Sequence, residues 1–120
     1  MIQGNGFTIK ESKFDYFFGR VTSSPSNEAR SRQNLQDLNK LGIHESDNGQ
    51  ERLMQIFETG LSASEIKRKI NEYGITIIKQ VEVYGNNIKG VIEIAYFYSA
   101  GDLLSIPEVS TIIPKISNQE

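Results

Sequence analysis

Residues that could bind a phosphate are concentrated near the start of one predicted helix. Ser23 and Ser24 precede Pro25, and Ser followed by Pro is typical of a helix start, where hydroxyl and free backbone N–H groups can hold an anion. Arg30, inside this helix, could add a bidentate contact to the same phosphate. Asn34 lies four residues later and shares its helix face. The alternative is that Arg30 forms an ordinary salt bridge with a nearby carboxylate.

An aromatic run between two cations precedes this helix. Lys13 and Arg20 flank a segment that contains four aromatic rings, those of Phe14, Tyr16, Phe17 and Phe18. On a short helix such rings point in nearly every direction, so at least one must enter the core or line a cleft. The rings therefore either anchor the N-terminal segment or, for Tyr16 and Phe17, offer a surface on which a nucleic-acid base stacks.

A hydroxyl near the C-terminus is the third candidate group. Thr111 stands among the apolar residues Val109, Ile112 and Ile113, and in a strand it would line the sheet face opposite to Ile112. A Thr at such a position is by itself an ordinary strand residue.

Composition excludes several kinds of site. The 120 residues include no Cys and a single His, His44, which is interpreted as a surface residue after a helix. This leaves too few ligands for a zinc site, and no phosphate-loop or dinucleotide pattern is present, so we expect no metal and no cofactor. The N-terminus lacks the pattern of a signal peptide and no stretch is apolar enough to span a membrane, so a soluble domain is expected.

The charge distribution is uneven. The net charge of −2 argues weakly against a general nucleic-acid binder. Residues 1–44 nevertheless sum to about +2 and the remainder to about −4. A local basic surface is therefore compatible with the acidic total, although solvated charges on helix faces explain the same numbers.

Caps and glycines predict helices in the first half of the chain. A helix over 25–41 is predicted from the Ser24 cap, the Leu spacing and the terminal Gly42. A capping box at Asp47 predicts a second helix, which ends at Gly60. A further capping box over 62–65 predicts a third, which ends at Gly74. A short fourth helix is predicted over 12–18.

Alternating β-branched and aromatic residues predict a sheet in the second half. Strands are expected over 75–84 and 88–98, joined by the turn over 85–87, and over 109–113, halted by Pro114. The prediction is one α+β domain over 1–120, with a mainly helical part over 1–74, an antiparallel sheet over 75–116 and a frayed tail over 117–120. The N-terminal helices would pack on one face of a three- to four-stranded meander, and the other face would stay open for a substrate or partner.

Several segments together resemble a known family. The blocks 13–21, 24–34, 38–43 and 110–115 resemble the C-terminal toxin domains of bacterial polymorphic toxins and contact-dependent inhibition proteins. These domains are similar to RNases of the barnase/EndoU/colicin/RelE fold class. The blocks cover about a third of the chain, and their order spans nearly all of it.

The resemblance implies a metal-independent endoribonuclease that cleaves tRNA by attack of a ribose 2′-hydroxyl on the adjacent phosphate. It implies catalytic roles for Lys13, Arg30 and Thr111. For the substrate it implies Arg20 and, as weaker phosphate contacts, Ser23 and Ser24. Further substrate-binding candidates are Asn34, Lys115, Tyr16 and Phe17. It further implies a cognate immunity protein and action in the cytoplasm of a target cell, after delivery within a larger exported protein. A stand-alone chain would be cytoplasmic.

One position departs from the family pattern. Ser26 stands where relatives are expected to carry a His, the usual proton shuttle near neutral pH. Lys13 or the arginines must then act in its place, or the domain is weakly active or inactive.

Two non-enzymatic alternatives remain open. In the first, the chain is a protein-binding module that uses the open sheet face, with Tyr84, Tyr96 and Tyr98 as anchors. In the second, it is an assembly protein that self-associates through an edge strand such as 109–113.

Overall fold

Short strands precede the helices, and a large sheet follows them. The computed structural model describes residues 1–85 and 87–117, and within these it contains three α-helices, six strands and one 3-10 turn. In chain order the elements are β1 Ile2–Gln3, β2 Thr8–Ile9, α1 Ser12–Phe17, α2 Pro25–Lys40, the 3-10 turn Glu45–Asp47, α3 Gly49–Leu61, β3 Glu65–Asn71, β4 Gly74–Gly85, β5 Ile88–Ser99 and β6 Glu108–Ile116.

The six strands form one mixed sheet in the order β1-β2-β6-β5-β4-β3. Neighbours are antiparallel except β2 and β6, which run parallel. The prediction of an α+β fold is confirmed. The predicted three or four antiparallel strands are too few, and the helices do not come first. The two strands missed at the N-terminus have two residues each, which is too short for an alternating pattern to be visible.

The third predicted helix is wrong, because this segment is strand β3. Its backbone pairs with β4, as in Arg68 opposite Ile77 and Ile70 opposite Ile75. The Asn71 side chain closes the hairpin by accepting hydrogen bonds from the N–H groups of Tyr73, at 2.8 Å, and Gly74, at 3.1 Å. Pairing with β4 thus prevails over a weak helical spacing, and the sheet extends into the part that was predicted to be helical.

The other helices agree with the prediction in position. The hydroxyl of Ser24 accepts the N–H of Asn27 at 3.2 Å and so caps α2, as predicted. The cap predicted at Asp47 is wrong, because α3 begins at Gly49 after Asn48, which has φ 58° and makes no side-chain cap bond. A Cβ on Gly49 would lie 2.5 Å from the carbonyl oxygen of His44, so the first position of α3 has no room for a side chain.

Strands β4 and β5 form the predicted hairpin, and β6 extends further than predicted. Asn86 of the connecting turn lies outside the described residues, as do residues 118–120 of the predicted tail. Strand β6 continues through Pro114 to Ile116, so the expectation that Pro114 halts it is wrong. On its outer side, β6 pairs with β2 only at Glu108 and Val109. Among the described residues, no strand therefore lies beside Pro114 on that side, and the missing N–H of Pro is tolerated at such an edge.

The helices cover one face of the sheet. Leu53 and Phe57 of α3 are fully buried, as are Ile92, Ile94 and Tyr96 on the facing side of β5. The rings of α1 join the same core, as shown by edge-to-face pairs such as Phe14 with Phe17, at 5.8 Å between centroids, and Phe17 with Phe57, at 6.4 Å. The phenylalanines of the aromatic run are thus packing residues. No helix within the described ranges is long and apolar enough to cross a membrane.

Tyr96 ties the sheet to α3. Its hydroxyl donates to the carbonyl oxygen of Phe57 at 2.5 Å, and a Cβ on Gly60 would lie 2.3 Å from that hydroxyl. Tyr96 is 0% exposed, and Tyr98 belongs to the same, helix-facing side of β5. Neither ring can anchor a partner on the open face, so that part of the binding-module hypothesis is wrong for these two residues.

Tyr96→Phe should lower the free energy of unfolding by about 1–3 kcal/mol, because it leaves the buried Phe57 carbonyl without this donor. Burial raises the pKa of Tyr96 and of Tyr98. Since the unfolded chain then loses these protons first, both groups stabilise the fold below about pH 10 and lose this contribution as the pH rises further. Urea unfolding at neutral pH and near pH 10.5 measures the effect. Between these two pH values, the free energy of unfolding should decrease less in the variant than in the parent chain. An equal alkaline loss would assign the pH dependence to Tyr98 or other groups.

Candidate functional site

A β-bulge presents Thr111 on the open face of the sheet. Ala95 of β5 pairs with Thr111, whereas the next residue, Tyr96, pairs with Val109, so Ser110 is the extra residue on β6. The hydroxyl of Ser110 donates to the carbonyl oxygen of Ala95 at 3.3 Å. The bulge allows Val109 and Ile112 to enter the core while Thr111 between them remains exposed.

Three adjoining depressions meet at Thr111. The first, of about 370 Å³, lies between α2 and β6 and is lined by Tyr16, Arg30, Gln33, Asn34, Thr111, Ile112 and Ile113. The second lies between α1 and β6, and its polar lining consists of Lys10, Ser12, Lys13, Tyr16, Ser110 and Thr111. The third lies on the sheet, and its polar lining consists of Lys69, Thr76, Glu93, Ser110 and Thr111. Thr111 is common to all three, and Tyr16 separates the first two.

A buried hydroxyl positions α1 against α2. Ser31 is 0% exposed, donates to the carbonyl oxygen of Tyr16 at 2.6 Å and accepts the N–H of Val21 at 3.4 Å. These bonds fix the end of α1 and the following loop beside α2, which brings Lys13 and Tyr16 next to the depression that Arg30 lines. Sequence reasoning missed Ser31, although its spacing to Leu35 and Leu38 marks it as part of the inward face of α2.

Cations without a partner are concentrated around these depressions. Within residues 1–85 and 87–117, six Lys or Arg side chains make no hydrogen bond or ion pair with the protein, namely Lys10, Lys13, Arg30, Lys40, Lys67 and Lys69. Four of the six line a depression that includes Thr111. Positive charge that the fold does not use internally is therefore available at this surface for an anion.

Several predicted binding residues are engaged elsewhere. Arg20 forms ion pairs with Asp15, at 2.8 Å, and with Glu45, and its hydrogen bonds to Asp15 and then to Glu45 raise the pKa of its guanidinium. Ser23 accepts a hydrogen bond from the side chain of Asn27 at 3.1 Å. Neither Arg20 nor Ser23 lines the depressions around Thr111.

The remaining predicted residues also differ in accessibility. Ser24 is occupied in capping α2, and Phe17 borders the second depression but is 0% exposed. Lys115 lies on the open face, where it forms an ion pair with Glu93 at 2.8 Å. Of the predicted site, the structure thus brings together Lys13, Tyr16, Arg30, Asn34 and Thr111.

Two residues bear on where an imidazole could lie relative to the depressions, namely Ser26, at the position of the expected His, and His44, the single His of the sequence. Ser26 is exposed in the first turn of α2, with its hydroxyl oxygen 3.4 Å from that of Ser24, and it precedes Arg30 by one helical turn. His44 lies just before the 3-10 turn and does not line the three depressions. The arrangement can therefore bind an anion through Arg30, Lys13 and Thr111, without an imidazole beside it in the described part of the chain.

Comparisons with known proteins identify a chain of similar structure. No protein-family model matches the chain, and no curated protein matches it. A chain of a contact-dependent growth inhibition toxin–immunity protein complex from Klebsiella pneumoniae 342 has a similar structure, with a TM-score of 0.74 and 24% sequence identity over 90% of this chain and 99% of that chain. The two chains share a fold.

Sequence reasoning did not anticipate the third depression. Lys69 and Thr76 line it from β3 and β4, and Ser110 and Glu93 line it from β6 and β5. Lys69 was not recognised as a candidate because its segment, β3, was predicted to be a helix. The alternation of Lys67 and Lys69 with Ile66, Arg68 and Ile70 is the strand signal that could have revealed it.

Proposed function

We propose that the chain is a metal-independent endoribonuclease toxin domain that cleaves tRNA. The observation that carries this proposal is the convergence of Lys13, Arg30 and Thr111, which come from α1, α2 and β6, on adjoining depressions. Both cations have no internal partner among the described residues. The shared fold with a chain of a toxin–immunity protein complex supports a role in such a toxin system.

The reaction is an intramolecular transesterification at one phosphodiester of the RNA. The ribose 2′-oxygen attacks the adjacent phosphorus, the bond between phosphorus and the 5′-oxygen breaks, and a 2′,3′-cyclic phosphate and a 5′-hydroxyl result. The proton of the 2′-hydroxyl passes to solvent water, and one proton reaches the departing 5′-oxygen. Arg30 and Lys13 offset the charge that develops on the phosphorane oxygens, and the Thr111 hydroxyl donates to one of them. Lys13 donates a proton to the leaving 5′-oxygen and regains one from solvent.

Tyr16 and Asn34 complete the site as binding groups. Tyr16 is half-buried between the first two depressions, where its ring can stack on a base next to the scissile phosphate. Asn34 shares the first depression and can hydrogen-bond a base edge or ribose. In this proposal the domain acts in the cytoplasm of a target cell after delivery within a larger exported protein, and a cognate immunity protein blocks it.

The proposal predicts cleavage of tRNA by the purified domain in the presence of EDTA, with 2′,3′-cyclic phosphate ends. Thr111→Ala should lower the rate about tenfold, because it removes one neutral donor, and Thr111→Ser should retain most activity. Gel analysis of tRNA and of total cellular RNA measures both effects. No cleavage of any cellular RNA at micromolar protein, or products with 5′-phosphate ends, would contradict the proposal.

A second candidate is a non-enzymatic protein of the same kind of system, which binds its partner through the open sheet face. Ser26 in place of the expected His favours it, since the described residues place no imidazole at the depressions. Expression in bacteria distinguishes the two. A nuclease toxin should stop growth and degrade tRNA, whereas a binding protein should be harmless and should co-purify with one specific partner protein.

A further inference from the structure

The edge strand β3 places two lysines on the same face of the sheet as Thr111. Lys67 pairs with Ile78, Ile78 with Ala95, and Ala95 with Thr111, so these four residues form one row across the sheet. Lys69 pairs with Thr76 in the neighbouring row and lines the third depression together with Thr111. Three strand spacings separate Lys67 from Thr111, or roughly 14 Å between backbones.

We propose that Lys67 and Lys69 bind a second phosphate of the RNA strand, one that is not the scissile phosphate. This inference rests on the proposed function, because it takes RNA as the substrate. A Lys side chain on β3 cannot reach a phosphate held between Arg30 and Thr111 across two intervening strands. The same strand of RNA, extended across the sheet from α2 toward β3, brings another phosphate to the two lysines.

The surface between the two cationic ends suits a polynucleotide. Its floor consists of small or half-buried side chains, with Thr76 and Ile78 on β4 and Ala95 on β5. Ile113 is 50% exposed beside Thr111 and offers an apolar surface to a base or ribose. A strip with cations at both ends and an apolar floor matches a chain with regularly spaced phosphates and bases between them.

The register of β4, β5 and β6 places Glu82, Glu93 and Glu108 on this face, and none of them cancels the two lysines. Glu108 shares the row of Lys69 but lies three strand spacings away, or roughly 14 Å between backbones. Glu93 borders the third depression but is neutralised by Lys115 at 2.8 Å. Glu82 lies further along β4 and forms an ion pair with Lys89 at 3.5 Å. Lys67 and Lys69 are both exposed and make no ion pair within the described ranges 1–85 and 87–117, so their charge is available to a ligand.

Strand β3 also supplies a matched control. Arg68 points to the opposite side of the sheet and forms an ion pair with Glu65 at 2.7 Å. Lys40 is exposed in the last turn of α2 and lines none of the three depressions. The double variant Lys67→Ala/Lys69→Ala and the control Lys40→Ala/Arg68→Ala therefore remove the same charge from different surfaces.

The test measures binding of a 2′-O-methyl RNA of about twelve nucleotides, which cannot be cleaved by 2′-hydroxyl attack, across a range of salt concentrations. For the parent chain, log K should fall linearly with log salt concentration. Lys67→Ala/Lys69→Ala should reduce the magnitude of this slope by about 0.7, the value for one lost phosphate contact on a single strand, while the control double variant leaves it unchanged. A dinucleotide of the same chemistry should bind both variants equally, because it does not reach β3.

The outcomes separate the inference from the proposed function. If the parent chain cleaves tRNA but the two double variants show equal slopes with the long RNA, the role of β3 is refuted and the nuclease proposal stands. If the parent chain neither binds nor cleaves RNA, both are refuted. If a polyglutamate peptide binds with the same dependence on Lys67 and Lys69 and displaces the RNA only at this edge, β3 is instead a docking edge for an acidic protein, and the inference is refuted.

Discussion

Arg30→Ala should lower kcat/KM for tRNA cleavage by about 10²- to 10³-fold while leaving the free energy of unfolding nearly unchanged. The guanidinium is exposed, lines the depression that contains Thr111 and has no internal partner among the described residues, so its removal costs the fold little. A charged donor aimed at the developing phosphorane acts mainly in the transition state, where the loss of one such donor typically costs this much. Ala is also a stronger helix former than Arg, which preserves α2.

Arg32→Ala is the matched control on the same helix. Arg32 is exposed, lies on a different face of α2 and forms an ion pair with Glu28 at 3.5 Å. Its loss removes the same charge without touching the depressions, so the rate should change less than threefold. The kcat/KM of Arg30→Lys should lie between those of the parent chain and Arg30→Ala, since Lys keeps the charge but cannot make a bidentate contact. Equal losses for Arg30→Ala and Arg32→Ala would show that only the overall charge matters and would contradict the assigned role.

The parts of the fold that were predictable are those with local signals. Ser24, Pro25 and Gly42 encode the two ends of α2 within a few residues of the chain, and the alternation along β4 and β5 encodes their hairpin. β3 was not predictable in the same way. Ile66, Ile70 and Tyr73 have helical spacing, whereas residues 66–70 also alternate as in a strand. The two local signals conflict, and pairing with β4 decides the conformation.

The candidate site shows the same division. Lys13, Arg30 and Thr111, which the matching sequence blocks contain, line adjoining depressions. Whether a given arginine is available depends on long-range partners that the sequence does not display. Arg20 forms ion pairs with Asp15 and with Glu45, which is 25 positions away in the chain, so it is not available to a ligand. The bulge at Ser110, which exposes Thr111, arises from the β5–β6 register and has no local sequence signal.

Ser26→His should raise the rate of tRNA cleavage near pH 7 by about 10²-fold. Ser26 is exposed one helical turn before Arg30, so an imidazole there would extend over the same helix face toward the scissile phosphate. A general base or acid positioned in this way typically contributes at least this factor, and the described residues place no imidazole at the depressions, where Lys13 is the assigned proton donor. The Ser24 cap of α2 is retained in the variant, which should keep the helix intact.

The pH profile identifies the role of the new imidazole. Because the positive end of the α2 dipole disfavours the charged form, its pKa should lie somewhat below the usual value of about 6.5. If it acts as general base, kcat/KM should rise through this pKa and then level off, a limb that the parent chain lacks; if it acts as general acid, the rate should fall there instead. Gln36→His, on an exposed position of the same helix, should add no limb. An unchanged rate and profile in Ser26→His would show that this turn of α2 does not face the scissile phosphate, and proton transfer would then belong to Lys13 on the α1 side of the site.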